Sequence, residues 1–182
     1  MRSTWISLMI VFVLIVFLAG MAQNKDFKYV GSKNCKMCHS SKKSGEAFKI
    51  WEASAHAKAY LTLASEESKA IAQKMGIDDP QKSDKCLVCH VTGHGSPATK
   101  FEKTFAIEEG VGCEACHGPG SAYNPMKIMK QIRAGEVKAA DYGLINPTET
   151  DCKKCHNEKS PTFKGFDYKK YSAQIAHPVP AE

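Results

Sequence analysis

The sequence predicts a mainly α-helical domain with much irregular structure, almost no sheet and very little side-chain core. Three observations predict it. All eight cysteines fall into four copies of one pattern, Cys-x-x-Cys-His. The copies are unevenly spaced, their histidines lying 51, 27 and 39 residues apart, so they do not form the fixed-period array that a solenoid requires. The apolar periodicity between them is confined to short amphipathic pieces bounded by Ser, Pro and Gly.

The four copies are Cys35-Lys36-Met37-Cys38-His39, Cys86-Leu87-Val88-Cys89-His90, Cys113-Glu114-Ala115-Cys116-His117 and Cys152-Lys153-Lys154-Cys155-His156. This pattern reads as c-type haem attachment. Two thiols three positions apart on one helical turn reach the two vinyl groups of a single porphyrin. The adjacent histidine then gives its imidazole to the iron, and that axial ligand is a main control on redox potential. Paired cysteines also build zinc ribbons and disulfide frameworks. Neither needs a histidine directly after every second cysteine, four times out of four. The count therefore predicts four covalently attached haem c groups, with no cysteine left over.

The N-terminus predicts export. Arg2 precedes an apolar run from Ile6 to Leu18, and Gly20-Met21-Ala22 offers small residues for a signal peptidase. We expect cleavage after Ala22. The competing reading keeps the segment as an anchor, since Ile6 to Ala22 is at the lower limit for a spanning helix. Either way residues 23–182 form a single domain outside the cytoplasmic membrane, in the periplasm or an equivalent compartment.

About 160 residues then serve four macrocycles, roughly 40 each. A chain of that size cannot wrap four haems in a side-chain core, so the haems themselves form much of it, as metals do in other small domains. The formal charge of +6 has the same origin. Each ferric haem with both propionates ionised brings about −1, so four of them nearly cancel it. A nucleic-acid reading has neither a basic stripe nor a motif behind it.

Between the motifs, Glu46 to Leu63 reads as one helix, with Phe48, Trp51, Ala55 and Ala59 on its apolar face and His56 near it. Ser65 caps a second helix running to Met75, with Glu66 and Glu67 in its first turn and Gly76 after its end. Phe101 to Glu109 is ambiguous between extended and helical. Asn124 and Pro125 open a helix that Gly135 closes. Asn146-Pro147-Thr148 turns the chain into the fourth motif, and the tail from Lys164 shows no clear period.

The histidine count is the most informative number in the chain. Four irons offer eight axial positions and the chain has seven histidines, so at least one iron is not bis-histidine. The four motif histidines are expected as proximal metal ligands. The three outside the motifs, His56, His94 and His177, are expected as distal ligands. Methionine is the obvious substitute, but Met37, Met75, Met126 and Met129 read first as packing residues.

Three stretches carry a family resemblance. They are Trp51 to Ala59 (WEASAHAKA), Cys86 to His94 (CLVCHVTGH) and Gly110 to Tyr123 (GVGCEACHGPGSAY), together about a fifth of the mature chain. The sequence resembles the tetrahaem cytochrome c-554 family, electron carriers of ammonia-oxidising bacteria. The resemblance implies stacked haem pairs, with three bis-histidine haems and one high-spin haem. By analogy it gives His94 to the haem of His39, His56 to that of His117 and His177 to that of His156, leaving the haem of His90 open.

The expected function is electron transfer between redox proteins, a donor dehydrogenase on one side and an acceptor cytochrome or quinone-linked complex on the other. The cofactor would supply the redox chemistry and the protein its orientation and tuning. No acid, base or nucleophile constellation argues for an enzyme. Two alternatives remain open at this level. One is reduction of nitric oxide or another nitrogen oxide at the open haem. The other is a subunit of a cytochrome filament or membrane electron-transfer complex, although identical subunits would not repair the histidine deficit. Lysines near the first and fourth motifs (Lys33, Lys36, Lys42, Lys43, Lys153, Lys154) either steer acidic partners or form a solvated face.

Overall fold

A computed structural model describes residues 26–178, so the leader and its cleavage point lie outside the described residues. Within them the chain is short helices joined by turns, without a strand. The helices are α1 (Lys33–His39), α2 (Ala47–Ala53), α3 (Ala59–Thr62), α4 (Glu66–Lys74), α5 (Asp84–His90), α6 (Cys113–His117), α7 (Met126–Arg133), α8 (Glu149–Cys152) and α9 (Tyr168–Ile175). One parallel bridge, Tyr29 to Phe101, is the nearest approach to sheet among the described residues. None of the described helices is long and apolar enough to cross a membrane.

The haem motifs themselves set the first, second and third of these placements: α1, α5 and α6 each end on their motif histidine. The fourth motif differs, since α8 stops at Cys152 and Cys155 and His156 follow in turns. Thr148 begins it with a reciprocal cap, in which Asp151 Oδ2 accepts from the Thr148 N–H at 2.9 Å.

The helix at Ser65 forms as the sequence predicts. The Ser65 hydroxyl accepts from Ser68 N–H, and Gly76 takes the left-handed φ of +66° after the last turn. The helix at Pro125 begins one residue later than expected, at Met126, and Gly135 ends it at φ +72°. The long helix expected over Glu46 to Leu63 is broken. Ser54 is extended, at ψ 166°, and both its N–H and its hydroxyl donate to Trp51 O, which halts α2. A 3₁₀ turn at His56–Lys58 then leads into α3. The tail is more ordered than its composition suggests: Asp167 caps α9 by accepting from Lys170 N–H.

Side-chain burial is scarce. The buried apolar residues are Val30, Phe48, Trp51, Leu63, Ala72, Leu87, Val91 and Tyr123. Eight such residues do not amount to an ordinary core for a chain of this length. Leu63, Leu87 and Val91 pack with Tyr60, Phe105 and Ile107, seating the second motif against α3. A separate aromatic group holds the N-terminal segment, with Tyr29 stacked on Phe101 at 5.2 Å and Phe101 against Phe105 at 4.6 Å.

The buried polar residues hold more of the chain together. They are Ser32, Thr92, Glu109 and Glu114, each just outside or inside one of the first three motifs. Glu114 accepts from the N–H groups of Val30 at 2.8 Å, Gly31 at 2.7 Å and Gly120 at 2.6 Å. Burial raises its pKa, and these three donors oppose the rise. Ser32 N–H donates to Glu109 Oε2 at 2.6 Å, and Cys113 N–H to the Ser32 hydroxyl at 3.1 Å. Thr92 donates to Gly110 O at 3.0 Å and accepts from Gly112 N–H at 2.7 Å. Only glycine fits at position 112, where a Cβ would run into the Ser32 hydroxyl.

Replacing Glu114 tests this network. Glu114→Gln turns one acceptor oxygen into an NH₂ that faces backbone donors, and each buried group left unpaired costs about 1–3 kcal/mol. Denaturant unfolding of the haem-loaded protein should show a loss of that order, with haem content unchanged.

Candidate haem sites

Attachment needs each cysteine pair beside its histidine, and ligation needs a neutral imidazole with an unengaged nitrogen. Burial lowers the pKa of His39, His56, His117 and His156, which favours that neutral form. Two motif histidines are also oriented by backbone carbonyls. His90 Nδ1 lies 2.7 Å from Ala59 O and His117 Nδ1 lies 3.1 Å from Ile145 O. His177 Nδ1 lies 2.9 Å from Ile175 O. A carbonyl only accepts, so Nδ1 must be the donor in each, and Nε2 is left as the lone-pair nitrogen. This is the usual outer-sphere support of a ligating imidazole.

The structure also brings the imidazoles together in pairs. The His56 and His156 rings meet edge to face with centroids 5.9 Å apart. His117 and His177 do the same at 5.8 Å. These contacts differ from the pairings implied by the resemblance, which set His56 against His117 and His177 against His156. The reason lies in long-range packing. His56 O accepts from Val111 N–H at 3.0 Å, and the α2 break turns the ring toward the fourth motif. Phe166 stacks on His156 at 4.6 Å and on Tyr171 of α9 at 5.6 Å, which fixes the tail over that motif. The tail then passes Gly45, where a Cβ would meet the His177 and Pro178 carbonyls, and delivers His177 to His117.

His94 is placed differently. Its Nε2, the nitrogen that the other oriented histidines keep available, lies 2.9 Å from Asp84 Oδ1. No other imidazole ring is brought against it among the described residues. Asp84 opens the helix of the second motif, so the contact closes a small loop around Cys86–His90.

All eight cysteines are unpaired, and they meet across motifs. Cys35 and Cys113 share a thiol–thiol hydrogen bond, which together with burial raises the pKa of Cys35. Cys155 is pushed up to about 12, first by burial and then by Cys89, which hydrogen-bonds it. Burial and the nearby Cys152 push Cys116 up to about 11. The first motif thus meets the third and the second meets the fourth, while Cys116 of the third is close enough to Cys152 of the fourth to feel its charge. Each cysteine pair with its adjacent histidine would hold a covalent haem, and a haem there would supply one-electron exchange at iron.

A cavity of about 490 Å³ lies beside this assembly, lined by Lys33, Phe48, Trp51, Lys58, Ala106 and Glu109 among others. None of the attachment cysteines or the seven histidines lines it. Glu109 Oε1 is buried there with no hydrogen-bond partner among the described residues.

Comparison with known proteins points to c-type cytochromes. Residues 34–118 match the family model described as cytochrome c554 and c-prime. The chain is 33% identical over 111 residues to cytochrome c-554 of Nitrosomonas europaea, a match covering 59% of this chain and 45% of that protein. It is 31% identical over 90 residues to the C-type polyheme cytochrome OmcC of Geobacter sulfurreducens, covering 43% of this chain and 11% of that protein. The chain thus spans less than half the length of either relative. No solved structure matches it. Residues 34–118, which contain the first three attachment motifs, are thus similar to the cytochrome c554 and c-prime family, and the chain as a whole is similar to c-type cytochromes, whose cofactor is covalently bound haem.

Proposed function

We propose that this protein is an exported tetrahaem cytochrome that carries electrons between redox proteins. Haems are attached at Cys35/Cys38, Cys86/Cys89, Cys113/Cys116 and Cys152/Cys155, with His39, His90, His117 and His156 as proximal ligands. The observation that carries the reading is the meeting of imidazoles distant in sequence, His56 with His156 at 5.9 Å and His117 with His177 at 5.8 Å. Imidazole nitrogens bind metals at about 2.0–2.1 Å, so two rings trans on one metal have centroids about 6 Å apart. The spacing therefore suits two bis-histidine irons.

The thiol contacts support two close haem pairs, first with third and second with fourth. Close pairs shorten the path for an electron, and no residue set in the chain suggests covalent catalysis. His94 is the third distal ligand in this reading and completes the haem of His39. Releasing its Nε2 from Asp84 is the step it requires. The haem of His90 is then the open one. Reduction of a nitrogen oxide at that haem is a second reading, favoured by the histidine deficit alone.

Electron paramagnetic resonance of the oxidised protein tests the ligand set. Three low-spin signals and one high-spin signal are expected. His56→Ala and His177→Ala should each convert one low-spin haem to high-spin, and a silent substitution removes that residue from the ligands. His94→Ala separates its two roles: a lost low-spin signal gives it to iron, while an unchanged spectrum gives it to Asp84 alone.

Exposure of the ferrous protein to nitric oxide tests the open position. One haem in four should take up the ligand, with the visible spectrum changing by that fraction. Catalytic turnover of nitric oxide, followed by consumption under a reductant, would favour the enzyme reading over the carrier.

A further inference from the structure

The four attachment motifs differ in one respect that their shared chemistry does not require. Residues 29–45, which enclose the first motif, hold four lysines and no Asp or Glu. Every other motif has an acid within two residues of a cysteine: Asp84 at the second, Glu114 at the third and Asp151 at the fourth. The fourth motif also carries two lysines, but both are neutralised. Lys153 pairs with Glu149 at 2.6 Å and Lys154 with Asp151 at 2.8 Å.

The lysines of the first motif are exposed and form no ion pair among the described residues. Lys33, Lys36 and Met37 stand at i, i+3 and i+4 on one face of α1. Lys42 and Lys43 follow in the 3₁₀ turn after it. Lys36 is held over the Phe48 ring at 5.2 Å, and the nearest downstream acid, Glu46, is engaged by Lys49 at 2.7 Å. Met37, between the two cysteines, is 92% exposed, the most exposed of the large apolar side chains described. An accessible methionine flanked by exposed lysines that form no ion pair among the described residues has the anatomy of a protein docking face. Its apolar centre makes the contact, and its charged rim speeds and orients the encounter.

We infer that the α1 face, Lys33, Lys36, Met37, Lys42 and Lys43, is the docking surface for an acidic one-electron redox protein, which exchanges electrons through the first haem. The inference rests on the electron-carrier reading above. In each encounter the partner loses or gains one electron and the first haem gains or loses one, and no bond is made or broken. A lipid surface is less well matched. Membrane-lying helices need an apolar face beside the basic one, and the face of α1 that carries the lysines has Met37 alone.

The test is stopped-flow reduction of the oxidised haem-loaded protein by flavodoxin hydroquinone, an acidic one-electron donor, at several ionic strengths. The parent's second-order rate should fall by about tenfold or more from low to high salt. The variant Lys36→Gln/Lys42→Gln/Lys43→Gln should lose about tenfold at low salt and most of the salt dependence. A control, Lys153→Gln/Lys154→Gln, should stay within about twofold of the parent. Calorimetric affinity for oxidised flavodoxin should weaken in the triple variant and hold in the control. A salt-insensitive parent, a triple variant equal to the parent, or equal losses in both variants would each overturn the docking face. The parent's salt dependence decides the matter even if the triple variant fails to assemble. Binding to phosphatidylglycerol vesicles that the triple variant loses, with flavodoxin rates unchanged, would overturn it in favour of a lipid contact. A parent reduced by dithionite but never by flavodoxin would sink the carrier reading along with the docking face.

Discussion

Four buried polar side chains hold the first three motifs in register, and the remaining architecture depends on them. Glu114 sits inside the third motif yet binds the backbone leading into the first, through Val30 and Gly31. Ser32 ties that same segment to Glu109 and to the N–H of Cys113. Thr92, just after the second motif, bonds the backbone just before the third. Such groups are costly to bury unless paired, so this set, paired except at Glu109 Oε1, specifies one arrangement sharply. With so few buried apolar residues, hydrogen bonding rather than side-chain packing decides which motif lies beside which.

That register determines what the histidines meet. The chain entering the third motif, at Val111, bonds back to His56 O and accepts from the Trp51 indole at 2.8 Å, so α2 and the turn after it are carried along with the motif. Gly110 permits this closeness. It holds φ +63°, and a Cβ there would lie 2.8 Å from His56 O. At the other end the fourth motif lacks a complete helix, and Phe166 and Tyr171 stack over His156 in its place. The imidazole pairs thus arise from segments that are remote in sequence and share no local signal.

This division explains what was legible in advance. The motifs, the Ser65 cap, the Gly76 and Gly135 stops and the scarcity of sheet were readable, because each depends on residues within a turn of one another. The break at Ser54 was not, because a seryl side chain returning to Trp51 O competes with a helix that the apolar spacing favours. The α9 helix had a local signal in Asp167, followed by Tyr168, Tyr171 and Ile175 at helical spacing, which the surrounding lysines obscured. The pairing of His56 with His156 and of His117 with His177 spans 100 and 60 residues, and depends on the buried polar register and the stacked tail. The His94 to Asp84 contact is local, but nothing in the sequence ranks it against ligation.

The order in which the motifs neighbour one another gives the molecule a direction. Cys35 meets Cys113, Cys116 lies near Cys152, and Cys155 meets Cys89, so the order of neighbours runs from the first motif through the third and fourth to the second. The first motif, at one end, carries the exposed lysines. The second motif, at the other end, holds His90, whose haem the ligand set proposed above would leave open. In the reading proposed above, docking and an open iron would lie at opposite termini of one path. On that reading an electron accepted at the basic face would cross the other haems before reaching the open site, and a small molecule bound there would not obstruct the protein partner. Separation of this kind follows from the buried polar register, because moving any one of the first three motifs would shorten the path or close it on itself.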